Sequence, residues 1–303
     1  VYVIFGASGN VGRASIAALR RAGKPVRAVV RHAQQGEPFA QLGCSVVLAD
    51  LADSASIEQA LEGATAVQML CPVPQGDPHP EHTMRSMIDA ATIALRAQPP
   101  AVLLALSDYG AQIEQGTGIT MLFHYLETQL KPLAGSRTQL ILLRAAEHMH
   151  NWNRVMPAAL ATGQLPSLHH PLDKRFPTVA AQDVGTLAAK LLMDDAATAP
   201  LRIVSVEGPR RVDAHGVAGV LSDVSGRPVA ARELPRDAWT ATLLRAGLSE
   251  GHAQLIVDLY DAHNAGHIDV EAGVGEQRFG TTELAQVFAA VMPQAPAPRT
   301  TST

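Results

Sequence analysis

Cysteine is almost missing from this chain: 303 residues carry two, Cys44 and Cys71. Two isolated thiols outside any metal-ligand spacing exclude a disulfide scaffold. They read as buried free thiols in a reducing compartment, so the expected location is the cytoplasm. Charge is sparse too, at 17% of residues with a formal net charge of −4, which argues against a nucleic-acid partner held through phosphate contacts. No apolar run reaches the roughly 20 residues that span a bilayer. Val1 to Phe5 has no basic flank and runs straight into glycines, so neither a signal peptide nor a membrane association is expected. Twelve histidines are a high count, yet no H-x-x-x-H with a third ligand appears, and no metal is expected.

Aliphatic residues are plentiful, and hydrophobic residues make up 47% of the chain. A chain this long can bury a sizeable core without disulfides or a structural metal, as one large or two small domains. Short β-branched runs predict strands at Val1–Phe5, Val26–Val30, Ser45–Leu48, Ala66–Leu70, Ala101–Leu106 and Gln139–Leu143. Between them, amphipathic stretches predict helices at Val11–Ala22, Ser56–Leu61, Glu81–Arg96 and Met121–Leu133. Near-continuous apolar strands alternating with helices are the signature of a parallel sheet covered on both faces. The expected fold class is therefore α/β, a Rossmann doubly wound parallel sheet with a smaller C-terminal substrate lobe.

Residues 1–150 form the expected dinucleotide-binding domain, with later segments able to return to its sheet. Residues 151–292 form the expected smaller lobe. Within it Asn151–Ala161, Gln182–Met193, Ala214–Ser225, Ala238–Ala246 and His252–Ala262 read as helices and Leu201–Val206 as a strand. Residues 293–303 have no apolar periodicity and read as a disordered tail.

Gly6, Ala7, Ser8, Gly9, Asn10, Val11 and Gly12 make a G-x-x-G-x-x-G loop after an apolar strand and at the opening of an amphipathic helix. In that setting Gly6 permits the tight turn and Gly9 lets a pyrophosphate approach backbone. Gly12 lets the helix pack close to the sheet, while the helix N-terminus supplies amides and positive dipole. The second strand is followed by Arg31, where an NAD-selective site would place Asp or Glu. Its guanidinium suits a 2′-phosphate, so the expected cofactor is NADP(H) rather than NAD(H). Asp50 and Leu51 end the third strand and suit the adenine, although Asp50 equally suits a helix cap.

With these residues in view, the chain resembles the NmrA-like branch of the atypical short-chain dehydrogenases. The resemblance rests on GASGNVG, VRAVVR, VVLADLADSASIEQALEGATAV, LSDYGA, LILLRAAEHMHNW, FPTVAAQDVG and EGPRRV…VLSDVSGRPV in their order and spacing. It implies a Rossmann core with a small lobe. It also implies either a reductase of quinones, triphenylmethane dyes or similar compounds, or a redox sensor that binds the dinucleotide without turnover. By position it assigns Cys71 and Pro72 to the surroundings of the pyrophosphate and nicotinamide ribose, and Ser107 and Tyr109 to those of the nicotinamide. The substrate pocket opens near His148, Met149 and Trp152.

Ordinary short-chain dehydrogenases use a Tyr made acidic by a Lys four residues on. Here Tyr125 is followed by Gln129, and Lys131 falls about 200° around the helix. The neutral amide of Gln129 cannot stabilise a phenolate as an ammonium does. His124 and Tyr125 are the candidate catalytic residues, for orienting substrate or donating a proton; a packed Tyr125 and a solvated His124 is the competing reading. The sequence thus points to an NADPH-dependent oxidoreductase of a small flat electrophile such as a quinone. The alternatives are a dinucleotide sensor and a lyase or isomerase.

Overall fold

The computed structural model describes residues 1–74, 76–196 and 199–292. Strand and helix alternate through the first half: β1 (Tyr2–Ile4), α1 (Asn10–Arg21), β2 (Val26–Val30), α2 (Glu37–Gln41), β3 (Ser45–Leu48), α3 (Ser54–Leu61), β4 (Ala66–Met69), α4 (Pro80–Ala97), β5 (Val102–Asp108), α5 (Thr120–Leu130) and β6 (Gln139–Ala145). The second half begins with β7 (Glu147–His148), α6 (Met156–Thr162), β8 (Gln164–Ser167), β9 (Thr178–Val179) and α7 (Ala181–Leu192). It continues with β10 (Leu201–Glu207), α8 (Ala214–Ser225), β11 (Ala230–Glu233), α9 (Trp239–Arg245), α10 (Glu250–Ala265), β12 (Glu276–Phe279) and α11 (Leu284–Val291).

Eight strands make one parallel sheet in the order β12-β10-β6-β5-β4-β1-β2-β3. Tyr2 lies between Val26 and Ala66 in register, so β1 is central, and the strand order reverses between β1 and β4. In a doubly wound sheet, ligands bind at the carboxyl ends of the strands beside that reversal. The fold expected from the sequence is the fold observed.

The strands are apolar on both sides because both sides are covered. Ile4, Leu104, Ile141 and Leu143 share one core with Ile16 and Leu19 of α1 and Val184 and Ala188 of α7. Val3, Leu103, Leu140 and Leu142 share the opposite core with Ile57 of α3, Ile88 of α4 and Leu122 and Leu126 of α5. A third core, built on Met149, Trp152, Phe176, Val217, Leu221 and Phe288, holds the lobe. The second half is not confined to that lobe, since β10 and β12 join the central sheet. The stretch expected as one helix over 151–161 is a 3-10 turn, Met149–Arg154, followed by α6. Pro157 explains the break: without an amide proton it is tolerated in the first turn of a helix but not inside one. The tail read as disordered, 293–303, falls outside the described residues. Among the described residues no helix is long and apolar enough to cross a membrane.

Candidate functional site

β1 delivers the chain into the glycine loop at the reversal of strand order. Gly6 turns with φ +72°, a left-handed conformation that glycine adopts without strain. Its carbonyl accepts the Gly9 amide at 3.1 Å, closing the turn. A Cβ on Gly12 would stand 2.2 Å from that same carbonyl oxygen, so only glycine lets the first turn of α1 sit against the loop. Gly9 is different. It is exposed, and a Cβ there would meet nothing nearer than the Gly6 oxygen at 3.4 Å, so it fronts open space. As N-cap of α1 it has no side chain to cap the helix. The first amides of a helix have no partner within it. Here they stand free, and such a helix start suits an anion. Ala7 and Val11 anchor the loop in the core, while Asn10 is exposed and the Ser8 carbonyl accepts from Arg13 Nε at 2.8 Å.

Arg31 follows β2 directly and is exposed, with no hydrogen bond or ion pair to any described residue. Asp50 is also exposed. Its carboxylate accepts the Ala52 amide at 2.9 Å, whereas Asp53 caps α3 by accepting from Ala55 at 3.0 Å. The alternative role of Asp50 as that helix's cap therefore belongs to Asp53. Leu51 packs partly on the α3/α4 core. Cys71 is fully buried and its thiol is pushed up to about 12 by burial, which makes it unreactive. Pro72 beside it is exposed.

The ends of β5 and β6 carry a polar network that the sequence conceals. Ser107 is buried and donates to Glu127 Oε1 at 2.7 Å. Glu127 of α5 is fully buried and takes Arg144 of β6 in two parallel bonds, from Nε and Nη2, each 2.7 Å. Burial opposes the Glu127 charge, but the Arg144 hydrogen bonds and charge prevail and hold its carboxyl below the usual range. Arg144 Nη1 reaches on to Glu271 in the loop before β12. Lys131 lies 3.5 Å from Glu127, so it is tied to this carboxylate. Tyr109 is buried and turns its hydroxyl toward Glu207 of β10 at 3.4 Å.

Neither candidate catalytic side chain is free. Tyr125 faces α4, where its hydroxyl donates to Asp89 at 2.6 Å and Arg85 stacks 4.5 Å from its ring centre. The Asp89 hydrogen bond, burial and the Asp89 charge raise its phenol further above the ordinary value. His124 has Nδ1 2.9 Å from the Ala111 carbonyl, so Nδ1 carries the proton there. The Tyr125 hydroxyl is thus engaged by Asp89 of α4 while Ser107 is engaged by Glu127 of α5.

Met149 and Trp152 are buried in the lobe core, with Trp152 stacked at 6.2 Å on Phe176. His148 is half-buried at the start of the lobe, and burial followed by the neighbouring His150 pushes it down to about 4, so it is neutral. Beside it Glu147 accepts His169 Nε2 at 2.8 Å and the Tyr260 hydroxyl at 2.9 Å. Burial opposes the Glu147 charge, yet His169 prevails and brings its carboxyl to about 2. On the neighbouring strand, in register with Ala145, Asp108 ends β5 and accepts Thr120 Oγ1 at 2.9 Å. Asp108 was not singled out from the sequence, although it stands between two residues that were.

A family model described as NAD(P)H-binding matches residues 6–195 of this chain. Quinone oxidoreductase 2 of Escherichia coli (strain K12) is 25% identical over 258 residues, spanning 84% of this chain and 85% of that protein. The crystal structure of an NADPH-dependent quinone oxidoreductase from Escherichia coli, complexed with NADPH, superimposes with a TM-score of 0.79. It is 21% identical over 96% of this chain and 99% of that one. The triphenylmethane reductase of Citrobacter sp. with NADP(H) gives 0.76 at 17% identity, over 97% of each chain. These matches agree with the NmrA-like resemblance.

Proposed function

This chain belongs to the NAD(P)H-binding family, and we propose that it is an NADPH-dependent oxidoreductase acting on a small flat electrophile such as a quinone. The observation that carries the cofactor choice is Arg31, an exposed guanidinium just after β2 with no partner among the described residues. A free fork of that kind pairs with a 2′-phosphate, whereas NAD-selective sites carry an acid there. The bound dinucleotide supplies hydride. The loop from Gly6 to Gly12 and the α1 amides hold its diphosphate, and Asp50 and Leu51 border its adenosine half. Ser107 and Tyr109, on either side of the last residue of β5, border the nicotinamide end with hydroxyls engaged by Glu127 and Glu207. Turnover is supported by the relatives' reductase names, with matches over 84–97% of this chain.

The tests are calorimetry with NADPH and NADH, and NADPH oxidation followed at its absorbance band over a panel of quinones, dyes and aldehydes. Consumption with at least one quinone is expected. Tight NADPH binding with no consumption by any acceptor rejects the reductase. A second reading, a dinucleotide sensor, is favoured by one observation: Tyr125 is bound to Asp89 and Gln129 replaces the usual lysine.

A further inference from the structure

The reductase reading leaves a proton without a source. A quinone that accepts hydride gains two electrons and one proton, and the oxygen that becomes negative needs a second proton. Tyr125 is turned to α4, and Tyr109 is buried against Glu207.

We propose that Asp108 is the proton donor of this site, a role that rests on the reductase reading above. It is the last residue of β5, at the carboxyl edge of the sheet where a doubly wound fold receives its ligand. Leu103 to Ser107 before it and Tyr109 after it are buried, whereas Asp108 is half-buried and open on one side. One carboxyl oxygen is held by the Thr120 hydroxyl at 2.9 Å. Its surroundings favour the neutral form. From α5 it meets Thr120, with His124 one turn further on and pinned to Ala111. From β7 it faces the charge of Glu147, itself held ionised by His169 and Tyr260 with His263 alongside. His263 is pushed down to about 4, chiefly by burial, and contributes no positive charge. Burial, aided by the Glu147 carboxylate, lifts Asp108 to about 7 against the Thr120 hydrogen bond. A general acid works best with its pKa near ambient pH.

The step balances. Hydride forms a new bond to the quinone, and the electron pair displaced in the ring settles on the distal oxygen. The O–H bond of Asp108 breaks toward that oxygen, and its electron pair stays on the carboxylate. The quinone leaves as hydroquinone, the dinucleotide is oxidised, and solvent on the open side returns a proton to Asp108.

Asp108→Asn tests this in two arms, since the amide keeps an acceptor for Thr120 and removes the acidic proton. The first arm needs no cofactor or acceptor: melting temperature against pH, wild type beside variant. A carboxyl held neutral in the fold but ionised in the unfolded chain makes the wild type lose stability relative to the variant as pH rises from about 4 to about 7. A difference independent of pH overturns the neutral carboxyl and the proposal with it. The second arm is quinone reduction. The variant's kcat should fall roughly 10²–10⁴-fold, with NADPH affinity unchanged, and the wild-type rate should decline above about pH 7. A variant rate within threefold of wild type overturns the donor role while the wild-type rate upholds the reductase. A wild type that oxidises no NADPH rejects the reductase reading, and the donor role falls with it. Should Asp108→Asn fail to fold, Thr120→Val removes a hydrogen bond that favours the ionised form. The alkaline limb should then move to higher pH, and an unmoved limb overturns the proposal.

Discussion

Two glycines of one loop should respond to substitution in opposite ways. Gly12 carries no side chain because its Cβ direction points into backbone: 2.2 Å from the Gly6 oxygen and 2.8 Å from its carbon. Ordinary contact begins at 3.4 Å, so Gly12→Ala must move either the loop or the first turn of α1 by more than an ångström. Overpacking of this sort costs about 1–3 kcal/mol, and alanine's better helix propensity returns at most ~1 kcal/mol. Gly9 has φ −76° and ψ 167°, which any residue adopts, and its Cβ direction is open. In Gly9→Val the loss of unfolded-chain entropy stabilises by ~0.4–1 kcal/mol, and a poorer N-cap costs about as much. Stability should therefore stay within ~1 kcal/mol of wild type. The branched side chain, however, occupies the space where a diphosphate reaches the amides. Loss of one charge-assisted hydrogen bond there costs ~1.5–3 kcal/mol, at least tenfold in affinity. Urea unfolding and calorimetric titration with NADPH separate the two effects. A folded Gly9→Val that binds NADPH as tightly as wild type refutes the diphosphate assignment. A Gly12→Ala of undiminished stability refutes the packing argument.

Arg31→Ala should weaken NADPH by about 10- to 150-fold and leave NADH nearly unchanged. Because Arg31 is exposed, the preference should also shrink as salt rises; equal affinities in the wild type remove Arg31 from this role. Tyr125→Phe deletes a hydroxyl that bonds Asp89, so quinone reduction should change less than threefold while the melting temperature falls slightly. A hundredfold loss of kcat in this variant would place the phenol in the chemistry after all.

Most of the sheet was legible because β1 to β6 are short, largely apolar runs that alternate with helix-period stretches, whereas β12, with Glu276, Gln277 and Arg278, carries no such signal and was not expected. Val26–Val30 and Ser45–Leu48 fall where the run ends. The glycine loop was legible for a local reason: turn, strand and helix are adjacent in sequence. What lay hidden depends on distant partners. On α5 the apolar pattern suggests Leu122, Leu126 and Leu130 as the buried face, and they are buried. It gives no hint that Glu127 is buried too, because its partner Arg144 lies on another element. One signal was available: an arginine inside the apolar run LILLRAA needs a buried carboxylate somewhere. Trp152 and Met149 read as a surface for a flat ring, because the residues that cover Trp152, Phe176 and His169, come later in the chain.

Proton chemistry at this site follows from where its cations are spent. A phenol, with an ordinary value near 10, becomes a useful acid at neutral pH only when a neighbouring cation stabilises the phenolate. Two cations reach the buried Glu127 carboxylate, Arg144 of β6 and the exposed Lys131 just after α5. Arg211 stands near Tyr109, but Glu207 and Asp269 share it, and burial raises the Tyr109 phenol well above its ordinary value. Arg85 covers the ring of Tyr125, yet the hydroxyl there is bonded to a carboxylate, which disfavours ionisation. Both tyrosines are thus held away from the acid role by the same rule, a negative partner in place of a positive one. For a carboxyl the rule reverses. Burial and a negative neighbour that spoil a phenol bring Asp108 up to about 7, into the range where an acid both holds its proton and gives it up. With Gln129 in the place of the usual lysine, the environment at the end of β5 lets a carboxyl serve instead.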